Sequence, residues 1–312
     1  MTRKLVWKDL AALPRFQNRK TVLDNSLQFV FNPGIFSSSL LSIISPASGF
    51  YSVLEPLESN KYPYLMGQVF HINGHCSARL AFLAPSDNQD LQGFVRVVSH
   101  LASAAGERGA FQILAEVAEN SPEEEILYQA GFRPYAEQQI WKLPPRISYG
   151  DCKKSWIPLN PEDRDLVLSF YQRILPGQVQ RIESPPTTPD LQGMISWKDG
   201  CVVGYAATQF GPKGILIDVF LDPDLDFVDE YLSALLFHLP YRNTRDVFLR
   251  VRSYQQPLAS ALLRVDAEPG PRQKAVVKRL TVYYNAKQTF RVQGFENQPD
   301  ITTPISHTKY KK

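Results

Sequence analysis

Cysteine is scarce in this chain of 312 residues: Cys76, Cys152 and Cys201 are odd in number and far apart. Such a set is poor material for a disulfide framework and suits a reducing compartment. Long apolar runs are also missing. No window approaches the roughly 20 apolar residues of a membrane span, and the opening MTRKLVWKDLAALPRF carries charge throughout, without the apolar centre of a secretion signal. A cytoplasmic protein without membrane contact is expected. Charge of one sign is nearly balanced: the net +3 is too small to argue for nucleic acid. Residues 271–312 hold nine Lys/Arg against two Asp/Glu, scattered rather than blocked, which reads as a soluble basic tail or as one that binds anions. No P-loop, dinucleotide fingerprint or nucleophile motif is present. HINGHC brings His71, His75 and Cys76 together around Asn73-Gly74, but without a second cysteine or histidine pair it reads as a polar hairpin tip rather than a metal site.

What is present is a strongly punctuated α/β pattern. Residues 49–54 and 64–72 read as strands, and Asn73-Gly74, suited to a type I′ turn, folds residues 76–84 back as a hairpin partner ended by Pro85. Leu91, Phe94, Val95, Val98, Leu101 and Ala102 recur at helical spacing, closed by Gly106 and Gly109. Residues 110–117 form the next strand. Ser121-Pro122 caps a helix with Glu123, Glu124 and Glu125 in its first turn, Gly131 supplies a left-handed stop, and a return strand runs to Leu143. Residues 5–27 mix apolar and basic side chains and should hold a short strand and helix.

The outline then recurs. A capped helix over 160–174 precedes strands at 193–197, 201–210 and 215–221, the last ended by Pro223, then a helix at 228–239 and a strand, helix and strand over 248–280. The interval from Gly67 to Pro85 differs by one residue from that between Gly204 and Pro223, as expected of two diverged copies of one unit. The expected organisation is a first domain over 1–146, a linker at 147–155, a second domain over 156–284 and a polar basic tail from 285 to 312.

Strand hairpin, helix, strand, a helix ending in Gly-Phe and a closing strand: this order resembles the GNAT acetyltransferase superfamily, most strongly over 119–132, where Asn120 stands eleven residues before Gly131. The resemblance covers nearly all of the chain except the tail. It implies an α/β (α+β) protein of two tandem GNAT-like domains, each a mixed, mostly antiparallel sheet flanked by helices. It also implies an acetyl-CoA-dependent N-acyltransferase acting on a small-molecule or peptide amine, or a diverged descendant; the alternative is a non-catalytic binding or scaffold protein that kept the fold without the cofactor.

The family's pyrophosphate loop relies on glycine for close backbone approach and on a helix N-terminus for positive potential. Its three motif positions fall at Asn88, Leu91 and Gly93, of which one is kept, with Asp87 and Asp90 beside them. In the second copy they fall at Asp226, Asp229 and Tyr231 and none is kept. Acetyl-CoA is therefore expected in the first copy only, with Leu83 orienting the thioester, Gln92 and Gly93 receiving the pyrophosphate, and Asn120 at the helix start. Tyr128 invites the family's role of acid toward the leaving thiolate, although the matching position is Leu127; the alternative is an aromatic packed between helix and sheet. Asp218, the one acid in an apolar strand, is a candidate base, or marks a strand with one wet face. Arg250 and Arg252 share a strand face, where they receive an anion or pair with Glu268 and neighbouring acids.

Overall fold

The computed structural model describes residues 1–31, 34–57, 62–144, 154–183 and 192–280. The expected loop at 184–189, the tail at 285–312 and all but the last two residues of the linker at 147–155 lie outside them.

The first half contributes β1 (Arg3–Lys4), β2 (Thr21–Val22), α1 (Ile35–Ile44), β3 (Phe50–Pro56), β4 (Tyr64–Phe70), β5 (Ser77–Ala84), α2 (Leu91–Glu107), β6 (Gln112–Ala118), α3 (Pro122–Gln129) and β7 (Arg133–Lys142). The second contributes β8 (Ile157–Pro158), α4 (Arg164–Ile174), α5 (Gly177–Gln180), β9 (Gly193–Lys198), β10 (Cys201–Phe210), β11 (Gly214–Leu221), α6 (Val228–His238), β12 (Asp246–Arg252), α7 (Gln256–Arg264) and β13 (Glu268–Arg279). The capping signals act as their chemistry requires: Ser121 accepts the Glu124 N–H and Gly131 turns at φ +91°. At the Asn73-Gly74 turn only Gly74 is left-handed, and the last strand pair is Phe70 with Arg79, so a longer loop stands where a two-residue type I′ turn is expected. Both central residues of that turn would need positive φ.

Among the described residues all the strands join one sheet, in the order β1-β3-β4-β5-β6-β13-β7-β12-β11-β10-β9-β8, with β2 paired to β5. Of these strands only β5 with β6 and β11 with β12 run parallel. At the centre the closing strands are exchanged: β13 lies between β6 and β7, and β7 lies between β13 and β12. The copies are thus stitched into a continuous sheet rather than forming two separate ones.

Helices cover both faces. α2 and α3 close one core over β3 to β6, through Phe94, Val97, Leu101 and Ile126, while α6 and α7 close its counterpart over β10 to β12, through Leu232, Leu235 and Leu258. Residues 5–16 with Ile35 cover Met66 and Phe82, and α4 lays Val167, Phe170 and Tyr171 over Tyr205 and Phe220. The matched glycines serve close packing. A Cβ on Gly67 would come within 2.7 Å of Val97 and one on Gly204 within 2.8 Å of Trp156, so each copy brings a large side chain down on its second hairpin strand.

Candidate functional site

Each copy opens where its parallel strands part. In the first, β5 and β6 pair at Ser77, Ala78 and Arg79 and separate beyond Arg79–Leu114. In the second, β11 and β12 separate beyond Asp218–Arg250. Separation of two parallel strands leaves backbone N–H and C=O groups without a ladder, and those groups must find partners or a ligand.

In the first copy they find the chain itself. Thr21 and Val22 pair antiparallel with Leu83 and Phe82, the Leu23 N–H donates to the Ala81 carbonyl at 2.9 Å, and on the far side the Glu116 N–H donates to the Leu23 carbonyl at 2.9 Å. The segment is therefore wedged between the parted strands. It is fixed at both ends: the Ser86 N–H donates to the Arg19 carbonyl at 2.8 Å and the Asn25 N–H to Glu116 Oε2 at 2.6 Å. Thr21 Oγ1 also donates to Glu123 Oε1 at 2.6 Å, which ties the wedge to α3.

Leu83 lies in register with both Gly67 and Thr21, inside a three-strand ladder. The Gly93 N–H donates to the Asp90 carboxylate at 2.8 Å, so the helix-start amide already holds an anion from its own chain. Gln92 is exposed and bonds Gln129 across to α3. Asn120 is exposed and left-handed at φ +59°, its N–H on Glu124. Tyr128 is 56% exposed, with the Arg133 guanidinium 4.5 Å over its ring, on the surface rather than in a cleft or between helix and sheet. The short strand expected within residues 5–27 is present at Thr21–Val22, but its place between β5 and β6 has no local signal. Two strand residues are too few to show a period.

The second opening is lined mainly by apolar side chains. Val219, Leu221, Val228 and Leu258 line a pocket of about 120 Å³, and the Gln255 side chain reaches across to the Val219 carbonyl. Asp222 also lines the pocket and is engaged by Arg173; Asp224, Asp226 and Asp229 follow in the chain, the last engaged by Arg264.

Asp218, Arg250 and Arg252 come together in a larger cavity of about 450 Å³, which Arg79 and Glu183 also line and which shares Val219, Tyr254 and Gln255 with the second opening. Arg250 is buried between two carboxylates, with Nη1 donating to Glu116 Oε1 at 2.8 Å and Nε 3.0 Å from Asp218 Oδ1 in an ion pair without hydrogen-bond alignment. Arg252 is buried, with Nη2 on Glu183 and Nη1 without an acceptor. The arginines therefore pair with acids from other strands and from the segment after α5, not with Glu268. Burial pushes the Asp218 carboxyl above its ordinary range, against the pull of Arg250 and Arg252. Burial acts the same way on Glu116, but Arg250 and Arg79 outweigh it and hold that carboxyl low; its neighbour Asp24 is pushed up by burial. Glu116 and Glu183 were not singled out from the sequence. Glu116 carries the same signal as Asp218, one acid inside an apolar strand.

No protein-family model matches the sequence, and a search of the curated proteins found no relative. Among solved structures, a GCN5-related N-acetyltransferase from Sphaerobacter thermophilus superposes with TM-score 0.53 at 14% identity, over 89% of this chain and 95% of that one. A tandem GNAT protein from the clavulanic acid biosynthesis pathway matches with TM-score 0.50 at 13% identity, over 89% and 98%. The chain has a GNAT fold. A conserved protein of unknown function from Staphylococcus epidermidis also shares it, with TM-score 0.51 at 11% identity over 69% and 91%. Identities this low speak for the fold and not for the chemistry. Among the described residues no helix is long and apolar enough to cross a membrane and no cluster of metal-ligating side chains occurs.

Proposed function

We propose that this GNAT-fold protein binds a small molecule in its polar cavity and does not transfer an acyl group from acetyl-CoA. One observation carries the reading: the segment through Thr21, Val22 and Leu23 occupies the gap between β5 and β6 and uses the backbone groups that the resemblance assigns to the thioester arm. Two others support it. The Asp90 carboxylate already occupies the Gly93 amide, and Asp222, which lines the second opening, opposes a polyphosphate there. Residues in neither copy fit the cofactor in the family's manner. Leu83, Gln92, Gly93 and Asn120 then serve the ladder, a helix cap and α3, and Asp218 serves the cavity.

A second reading is favoured by the continuity of the two spaces around Val219, Tyr254 and Gln255. Acyl transfer to an amine in the second copy would place Asp218 near the reacting amine as base. Calorimetric titration with CoA and with acetyl-CoA at millimolar concentration separates the two. The binding reading expects no saturable heat and no thermal shift; saturable binding of either ligand overturns it in favour of the transferase.

A further inference from the structure

The pseudo-symmetric openings converge on one cavity with opposite charges. Arg79 is the last residue of β5 paired with β6 and Asp218 the last residue of β11 paired with β12, equivalent positions in the two copies, and both line the cavity of about 450 Å³. Each keeps unused hydrogen-bonding capacity. The Arg79 guanidinium approaches Asp24 at 3.6 Å and Glu116 at 4.0 Å but makes no hydrogen bond with either. Its fork of N–H donors is left for water or a ligand. Asp218 meets Arg250 in an ion pair without hydrogen-bond alignment, its side chain is 24% exposed, and its carboxylate accepts no hydrogen bond from a described side chain. A third group points the same way: Arg252, only 6% exposed, lines the cavity with Nη1 lacking an acceptor. A buried donor left without a partner costs free energy that a bound acceptor recovers.

A phosphate or other simple anion would meet Asp218 and Glu183 as well as the arginines, and like charges at that range repel. An amine alone would leave Arg79 and the Arg252 donor as they are. A molecule bearing both charges answers both sides. Tyr171, Tyr205 and Tyr254 supply apolar faces with polar tips around the remainder, and the cavity volume admits a molecule of amino acid size.

We propose that the cavity binds a small zwitterion of the free amino acid class, with its carboxylate on Arg79 and Arg252 and its ammonium on Asp218. The proposal rests on the binding reading above.

The test is calorimetric titration of the full chain with each standard free amino acid, followed, for the tightest, by its des-amino carboxylic acid and its des-carboxy amine. At least one amino acid should bind saturably, and removing either charge from it should weaken binding about tenfold or more, as expected for loss of a charge-assisted hydrogen bond. Arg79→Gln should weaken the amino acid and its des-amino acid alike, whereas Asp218→Asn should weaken the amino acid and spare the des-amino acid. The ligand-side comparison decides alone if a variant does not fold. Absence of saturable binding by every amino acid, or equal affinity for the acid lacking the ammonium, overturns the proposal. CoA binding in a parallel titration would overturn the binding reading instead, and the two failures are read from different ligands.

Discussion

Glu116→Gln tests the charge network beneath the cavity. Glu116 Oε1 accepts from Arg250 at 2.8 Å and Oε2 from the Asn25 N–H at 2.6 Å, with both side chains of the ion pair 5% exposed. Breaking a buried pair by neutralising one partner costs about 3–5 kcal/mol. Three features place this change at the low end, near 3 kcal/mol. The amide oxygen still accepts from Asn25, Arg250 keeps Asp218 at 3.0 Å, and Asp24, whose charge Glu116 disfavours, becomes freer to ionise against Arg79. At about 2–4 °C per kcal/mol for a chain of this order, the melting temperature at neutral pH should fall by roughly 6–12 °C. The pH dependence has a definite sign. The folded-state carboxyl is held below its ordinary 4.5, so its contribution is present above that value and is lost as pH falls through the folded-state pKa. The gap between wild type and Glu116→Gln should therefore close on acidification. Asp24 behaves oppositely: its raised pKa disfavours the folded state as pH climbs past 3.8, so Asp24→Asn alone should cost little at pH 7. The double variant should lose more than the sum of the singles, because it removes the reserve charge. Differential scanning calorimetry from pH 3 to 8 reads all of this. A Glu116→Gln protein melting within about 1 °C of wild type at neutral pH would refute the reasoning and imply a hydrated network.

Gly67→Ala and Gly204→Ala should each cost about 1–3 kcal/mol, measured by denaturant unfolding, because the new methyl meets Val97 at 2.7 Å or Trp156 at 2.8 Å. Gly200→Ala, with open space around its Cβ position, controls for loss of glycine itself but sits at φ +77°, so its smaller expected cost is backbone strain alone. Tyr128→Phe should leave stability within about 0.5 kcal/mol and ligand binding unaltered, since the hydroxyl is exposed and the Arg133 stacking survives.

The elements that sequence alone revealed are those with local punctuation: Pro85 and Pro223 after strands, Ser121-Pro122 before a helix, Gly131 after it. α1 was invisible for a physical reason. It buries Ile35, Ser38, Ser39 and Ser42 and turns Phe36, Leu41 and Ile44 outward, so its inward face carries no apolar period. The exchange of β7 and β13 is a pairing between residues more than a hundred positions apart, and nothing local distinguishes a strand that joins its own unit from one that joins the next. The site was legible by halves. Asp218, Arg250 and Arg252 stood out as charges in apolar strands, but their convergence with Arg79 depends on the shared sheet, and the wedge at Thr21, Val22 and Leu23 depends on a contact with strands some sixty and ninety residues away.

The exchanged closing strands bear on how the two copies live together. Because β6 is completed by β13 and β12 by β7, neither half owns the middle of its sheet, and a polypeptide cut within residues 147–155 would yield two fragments that each lack an internal strand and present a raw edge. Such fragments should be insoluble when made alone and soluble when made together. Two halves joined in this manner are hard to separate, and each remains indispensable as the other's scaffold whatever its own site binds.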